Sequence, residues 1–237
     1  MKKIGLSLLS ALFLIAVFNS RVMAQSDFEQ ELTSLHKKAI MTCSIIKKPE
    51  VHKQSEMLQA LDELKIQVFG LQKKYADYQP AGYENDPLWK SYFMEFNDII
   101  NALQTRVGNG NYKAAAMNCS RFCMLFDKIH TVNGHVDLTD MMFRWFSQTT
   151  MTTNMVNATN YEDAMNNLKQ VKILHKKVLE FERTSQRSDE SHTAFDKINE
   201  LYNQWVKALE SRDYQLTVNT YKKFQDAFGK AFIMSLN

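Results

Sequence analysis

The sequence predicts an all-α protein: two tandem up-down-up-down four-helix bundles behind an export leader. Three observations carry this expectation. Apolar residues recur at a spacing of three and four almost from end to end. Seven Gly and three Pro among 237 residues leave few places for the tight turns that sheets require. The second half also repeats residue types of the first at a fixed offset, which is the mark of an internal duplication.

Residues 1–24 read as a signal peptide. Lys2 and Lys3 precede an apolar run from Ile4 to Phe18, and a short polar stretch ends in Val22-Met23-Ala24. That run is about 15 residues, short of the roughly 20 that a bilayer span needs. Cleavage there starts the mature chain near Gln25 and sends it to the periplasm or out of the cell. The first bundle is then expected over 25–133 and the second over 134–237. The leader carries Lys2, Lys3 and Arg21, which is the whole of the formal +3 charge, so the mature chain is formally neutral. A nucleic-acid partner is excluded, because phosphate binding needs a surplus of Lys and Arg to release counterions. No later apolar stretch is long enough for a stable membrane span after cleavage.

Phe28, Leu32, Leu35, Ala39 and Ile46 form the stripe of a first helix over about 27–47, ended by Pro49. A second helix is expected from Val51 to Tyr75, with Leu58, Leu61, Ile66 and Phe69 inside. The loop 76–85 follows, and Asp86-Pro87 reads as an N-cap with proline at the first helical position. That third helix runs to Val107. Gly108-Asn109-Gly110 stops it, and a fourth helix is expected from Asn111 to Thr131. The pattern then restarts at Asp137–Val156, Thr159–Glu182, Ser188–Glu210 and Asp213–Met234.

A shift of 102 places Phe93, Asn97, Asn101, Tyr112, Phe122 and Phe126 on Phe195, Asn199, Asn203, Tyr214, Phe224 and Phe228. A shift of 110 places Asp27 on Asp137. Helices of 20 to 25 residues with mostly short connections make antiparallel neighbours, hence a bundle in each repeat.

Asp27-Phe28-Glu29 opening the first helix, the Phe93 to Val107 helix, and Gly110-Asn111-Tyr112-Lys113 opening an Ala-rich last helix follow a familiar order. In that order each repeat resembles the cytochrome c-prime and soluble cytochrome b superfamily of four-helix bundles. The resemblance implies haem between first and last helices, ligated by Met and His or attached through Cys-x-x-Cys-His. Cys119-Ser-Arg-Phe-Cys123 is spaced too widely for that attachment and is followed by Met124. Carried over one position at a time, the histidine position falls on His130 in the first repeat and on Phe232 in the second. The methionine position falls on Leu32 and Met142 respectively, so each repeat keeps half a ligand pair. The resemblance therefore implies a vestigial haem site, with haem b on His130, assisted by His36, as the alternative.

All three cysteines lie in the first repeat. If Leu32 faces His130, as the resemblance implies, Cys43 lies level with Cys119, and a Cys43–Cys119 disulfide is the preferred pairing in an oxidising compartment. Cys43–Cys123 remains an alternative, as does a soft-metal site of Cys43, Cys119 and Cys123 suited to copper or zinc.

No Ser-His-Asp order, phosphate loop, HExxH or placed carboxylate pair occurs. His52, His135, His175 and His192 read as solvated histidines. Met141 to Phe146 is apolar on more than one face, consistent with packing between the repeats, a partner protein or a small apolar ligand. The expectation is an exported, non-catalytic bundle with no cofactor, structural or binding a protein or small ligand. Its rival is a periplasmic haem or Cu/Zn carrier of cytochrome type.

Overall fold

The computed structural model describes residues 27–156, 160–185 and 188–236. The leader at 1–24 and the expected helix start at Thr159 lie outside the described residues. Among the described residues every regular element is a helix. In chain order these are α1 (27–46), α2 (Gln54–Tyr75), α3 (Trp89–Gly108), α4 (Tyr112–Asn118), α5 (Ser120–Asn133), α6 (Leu138–Met155), α7 (Glu162–Thr184), α8 (Asp189–Glu210) and α9 (Tyr214–Met234). The chain divides into two compact units between Gly134 and His135.

In the first unit, side-chain contacts fix the helix directions. Lys38 pairs with Glu63 and Lys74 with Glu31, so α1 and α2 run opposite ways. Lys65 donates to Asn101 at 2.9 Å and Gln104 to Asp62 at 2.6 Å, which does the same for α2 and α3. Phe96 meets Phe126 at 5.2 Å between ring centroids, bringing α3 against α5. Finally, α1 lies against α4 and α5: the His36 ring stacks on Phe126 at 4.0 Å and Cys43 is bonded to Cys119. Moving up α1 means moving down the last segment, residue for residue.

The second unit shows the same relations. Asn167 on α7 bonds both Gln148 and Thr152 on α6, each at 2.7 Å. His175 on α7 meets Asn199 on α8, also at 2.7 Å, and Lys172 pairs with Glu210. Trp145 on α6 packs edge-on against Phe224 on α9 at 5.2 Å, and the Thr150 and Tyr221 hydroxyls lie 2.6 Å apart.

The turns carry the clearest trace of a repeated unit. Asn111 and Asp213, 102 positions apart, each accept a hydrogen bond from the backbone N–H three residues on, at 3.2 Å and 2.9 Å. Both are N-caps, the role for which short side chains with an oxygen acceptor are suited. The residue before each cap has positive φ: +70° at Gly110 and +56° at Arg212. Arg212 thus places a bulky residue in the left-handed region at the turn position where the first unit has glycine, and its Cβ meets a steric penalty that glycine escapes. At the other end of the first unit, Gly134 at φ +75° closes α5 in the same left-handed conformation.

Four expected features differ. The third helix begins at Trp89, because the buried Asp86 carboxylate closes a turn instead, accepting from the Leu88 N–H at 2.8 Å and from Asn133 at 2.7 Å. The second begins at Gln54, since Val51 and His52 both bond back to the Lys48 carbonyl in a separate turn. Ile66 and Phe69 are not inside: they are 71% and 64% exposed, and α2 buries Met57, Leu61, Leu64, Val68 and Leu71. The fourth helix is interrupted at Cys119, where the Cys119 N–H bonds to Ala116 O and the Phe122 N–H to Cys119 O, three residues back in each case. That tighter bonding at one turn separates α4 from α5 without turning the chain.

Replacing Arg212 by Gly removes the strained left-handed side chain at the cost of a more flexible unfolded chain. We expect a net stabilisation of up to about 1 kcal/mol in urea unfolding, whereas Gly110→Arg should destabilise by about the same amount. Equal midpoints for Arg212→Gly and the parent chain would remove the strain at this turn from the account.

Candidate functional site

The disulfide is the fixed point of the first unit. Cys43 on α1 and Cys119 at the α4–α5 junction are both buried, with Cα atoms 5.7 Å apart and 76 residues between them in sequence. This separation lies in the range that a disulfide spans without moving the backbone. Cys123, one turn further along α5, is half-buried and stays outside the bond. In this oxidation state Cys43 and Cys119 offer no thiolate, the form of sulfur that binds copper or zinc.

The same register fixes the haem-ligand positions named by the resemblance. Leu32 precedes Cys43 by as many residues as His130 follows Cys119, so the two are level across the unit. Leu32 is buried in the core between Phe28 and Leu35. His130, also buried, has its Nε2 4.0 Å from the Glu29 carboxylate, which in turn accepts a 2.5 Å hydrogen bond from the Tyr83 hydroxyl. In the second unit Met142 is wholly buried, and Phe232 stacks on Phe228 with ring centroids 5.6 Å apart. The two units match in detail: His36 stacks on Phe126 at 4.0 Å, and Phe146, 110 positions later, stacks on Phe228 at 4.4 Å.

One cluster escaped the sequence reading. His175 is not a solvated histidine: its ring lies 4.9 Å from Trp145 and 4.2 Å from Tyr202, with Nε2 on Asn199. Burial lowers its pKa below the ordinary histidine value, and the Asn199 hydrogen bond offsets that in part. Burial likewise raises the Tyr202 phenol, with the Glu210 charge acting in the same direction. The Trp145 and Trp205 indole N–H groups and the Tyr202 hydroxyl are buried without a hydrogen-bond partner among the described residues. The signal was present in the sequence. Leu168, Val171, His175 and Val178 share one helical stripe, and a histidine on such a stripe faces the interior.

The recess in the first unit lies elsewhere, beside the disulfide. Ile46, Lys47, Pro49, Tyr112, Lys113, Ala116 and Met117 surround a hollow of about 440 Å³ between the end of α1 and α4. Ile46 is one turn beyond Cys43 and Ala116 one turn before Cys119, so the bond holds the two walls together. None of the haem-ligand positions lines it.

No family model, curated protein or solved structure matches this chain.

Two measurements check that geometry. Replacing both Cys43 and Cys119 by Ser should lower the unfolding free energy by about 2–4 kcal/mol, because the bond closes a long loop in the unfolded chain. A loss near zero in denaturant melts would mean that the two segments are not tied. For His175, the folded pKa lies below the unfolded one, so the unfolded chain binds more protons in the interval between them. Its contribution is full above the unfolded value near pH 6.5 and is lost as pH falls toward the folded value. The melting temperature should fall between about pH 7.5 and about pH 5, and His175→Gln should flatten that fall. An unchanged slope in the variant would contradict the half-buried, neutral imidazole.

Proposed function

We propose that this chain is an exported, non-catalytic helical-bundle protein that acts as a structural or binding module, and that the haem site implied by its resemblance is vestigial. One observation carries the reading: the level positions between first and last helices are taken up by the protein's own side chains. Leu32 and Met142 belong to the packed interiors, Phe232 is stacked on Phe228, and His130 is turned to Glu29. An iron porphyrin needs an axial donor and a flat apolar slot together. The recess beside the disulfide has neither histidine nor thiolate on its walls.

Export to the periplasm or the medium is supported by one point. A disulfide between buried cysteines persists in oxidising compartments. No described helix is long and apolar enough to cross a membrane. The rival reading, a haem b or Cu/Zn carrier, rests on His130 and on the cysteine trio. It requires His130 to leave Glu29 or the disulfide to be reduced.

Haemin titration separates the two readings. Protein purified with its disulfide intact should give no Soret shift with added haemin beyond that of free haemin, and His130→Ala should behave identically. A stoichiometric Soret band that is lost in His130→Ala would establish the carrier and end the vestigial reading.

A further inference from the structure

We infer that the recess between the end of α1 and α4 is a binding site for an aliphatic carboxylate, a small anion with an apolar chain. The inference rests on the binding-module reading above and assigns that module a ligand class.

The argument starts from the wall chemistry. Lys47, just past the end of α1, and Lys113, in the first turn of α4, meet at one hollow, and no acidic side chain lines it. Neither ammonium reaches a carboxylate among the described residues, and the Tyr112 hydroxyl on the same wall has no hydrogen-bond partner there. On the same unit Lys38, Lys74, Lys90 and Lys128 reach an acidic side chain, while Lys48, Lys53 and Lys73, like Lys47 and Lys113, reach none among the described residues; what sets this pair apart is that both border one hollow. Two uncompensated cations and a phenol at one hollow leave donors for an anion to satisfy. A carboxylate fits that set, since it accepts up to four hydrogen bonds and gains from charge-assisted ones.

The remaining wall sets the rest of the ligand. Ile46, Pro49, Ala116 and Met117 are apolar, and Met117 is 72% exposed on its short helix. A flexible thioether of that kind adapts to an alkyl chain and gains by being covered. The hollow, about 440 Å³, is open to solvent on one side, so an alkyl chain would lie along the apolar wall rather than be enclosed by it. Inorganic phosphate would satisfy the lysines and leave this wall bare; an aliphatic carboxylate uses both.

The second repeat supplies an internal contrast. At the 102-position shift, Lys113 and Met117 become Gln215 and Asn219, and these two side chains hydrogen-bond to each other at 3.1 Å. The corresponding surface of the second unit has spent its donors on itself. The first unit has kept both the charge and the apolar wall.

Sodium decanoate is the probe, titrated by calorimetry into the disulfide-intact protein, with [methyl-13C]methionine spectra recorded in parallel. Saturable binding near one equivalent is expected, with the Met117 methyl signal shifting and being identified by its loss in Met117→Leu. Lys47→Gln/Lys113→Gln changes only exposed side chains and should keep the parent's circular dichroism while weakening decanoate binding by about tenfold or more. Sodium phosphate should compete poorly, and decanol should bind less well than decanoate. No saturable binding up to about 5 mM, which is weaker than any specific small-ligand site worth the name, would overturn the inference. So would binding that the folded double variant leaves unchanged, or phosphate binding as tight as decanoate. A flat decanoate titration leaves the vestigial-haem reading standing, whereas a Soret band dependent on His130 ends that reading and leaves this site to be judged on the lysine variants.

Discussion

The antiparallel registration of the first helix against the last segment is the constraint on which the first unit depends. Cys43 and Cys119 fix it covalently, and every other cross-contact of α1 with the last segment follows by stepping away from that bond. Seven residues away on either side, His36 stacks on Phe126; further on, Leu32 comes level with His130, and His130 reaches Glu29. In the other direction the same bond sets Ile46 opposite Ala116 and so shapes the recess. A disulfide stabilises chiefly by restricting the unfolded chain. Here it also settles which side chains can meet, because a slip of one residue would rotate the α1 stripe by about 100° away from its partners.

The second unit keeps the registration without the bond. Thr153 stands at the position of Cys43 and Tyr221 at that of Cys119, and Tyr221 meets Thr150 by a hydroxyl contact of 2.6 Å. What replaces the covalent tie is aromatic packing: Trp145, Phe146, Phe224 and Phe228 form a continuous set of ring contacts between α6 and α9. Phe143, Arg144 and Phe146 are only half-buried, whereas Met141, Met142 and Trp145 lie in the interior. This explains why the run from Met141 to Phe146 is apolar on more than one face. Part of it fills the core and part covers the flank of α9. Two interiors with the same helix order thus reach the same register by different chemistry.

Most of the helical layout was legible in the sequence, because each stripe, cap and glycine stop acts over one or two turns. Asp213 and Asn111 as caps and Gly134 as a terminator follow from local rules alone. The misreadings came where a distant contact competes with a local rule. Asp86 has the look of an N-cap, yet its other oxygen is claimed by Asn133, 47 positions away, and the helix starts later. Ile66 and Phe69 suit a helical stripe, but Met57, Leu61, Leu64, Val68 and Leu71 define a stronger one, and the weaker stripe is left outside. The break at Cys119 carries only a weak sequence signal: Asn118 and Ser120 are poor helix formers, and the Ser120 hydroxyl donates back to the Met117 carbonyl at 3.1 Å. The site was less legible than the fold. The recess depends on where α4 lands beside the end of α1, and only the three-dimensional arrangement shows Lys47 and Lys113 at one hollow.

Peptide mapping without reduction addresses the registration most directly. Alkylation of the native protein, digestion and mass spectrometry should give one cross-linked peptide pair containing Cys43 and Cys119, with Cys123 alkylated once the chain is unfolded. A Cys119–Cys123 link, a Cys43–Cys123 link, or three alkylated cysteines would contradict the register from which the core contacts, the ligand positions and the recess have all been derived.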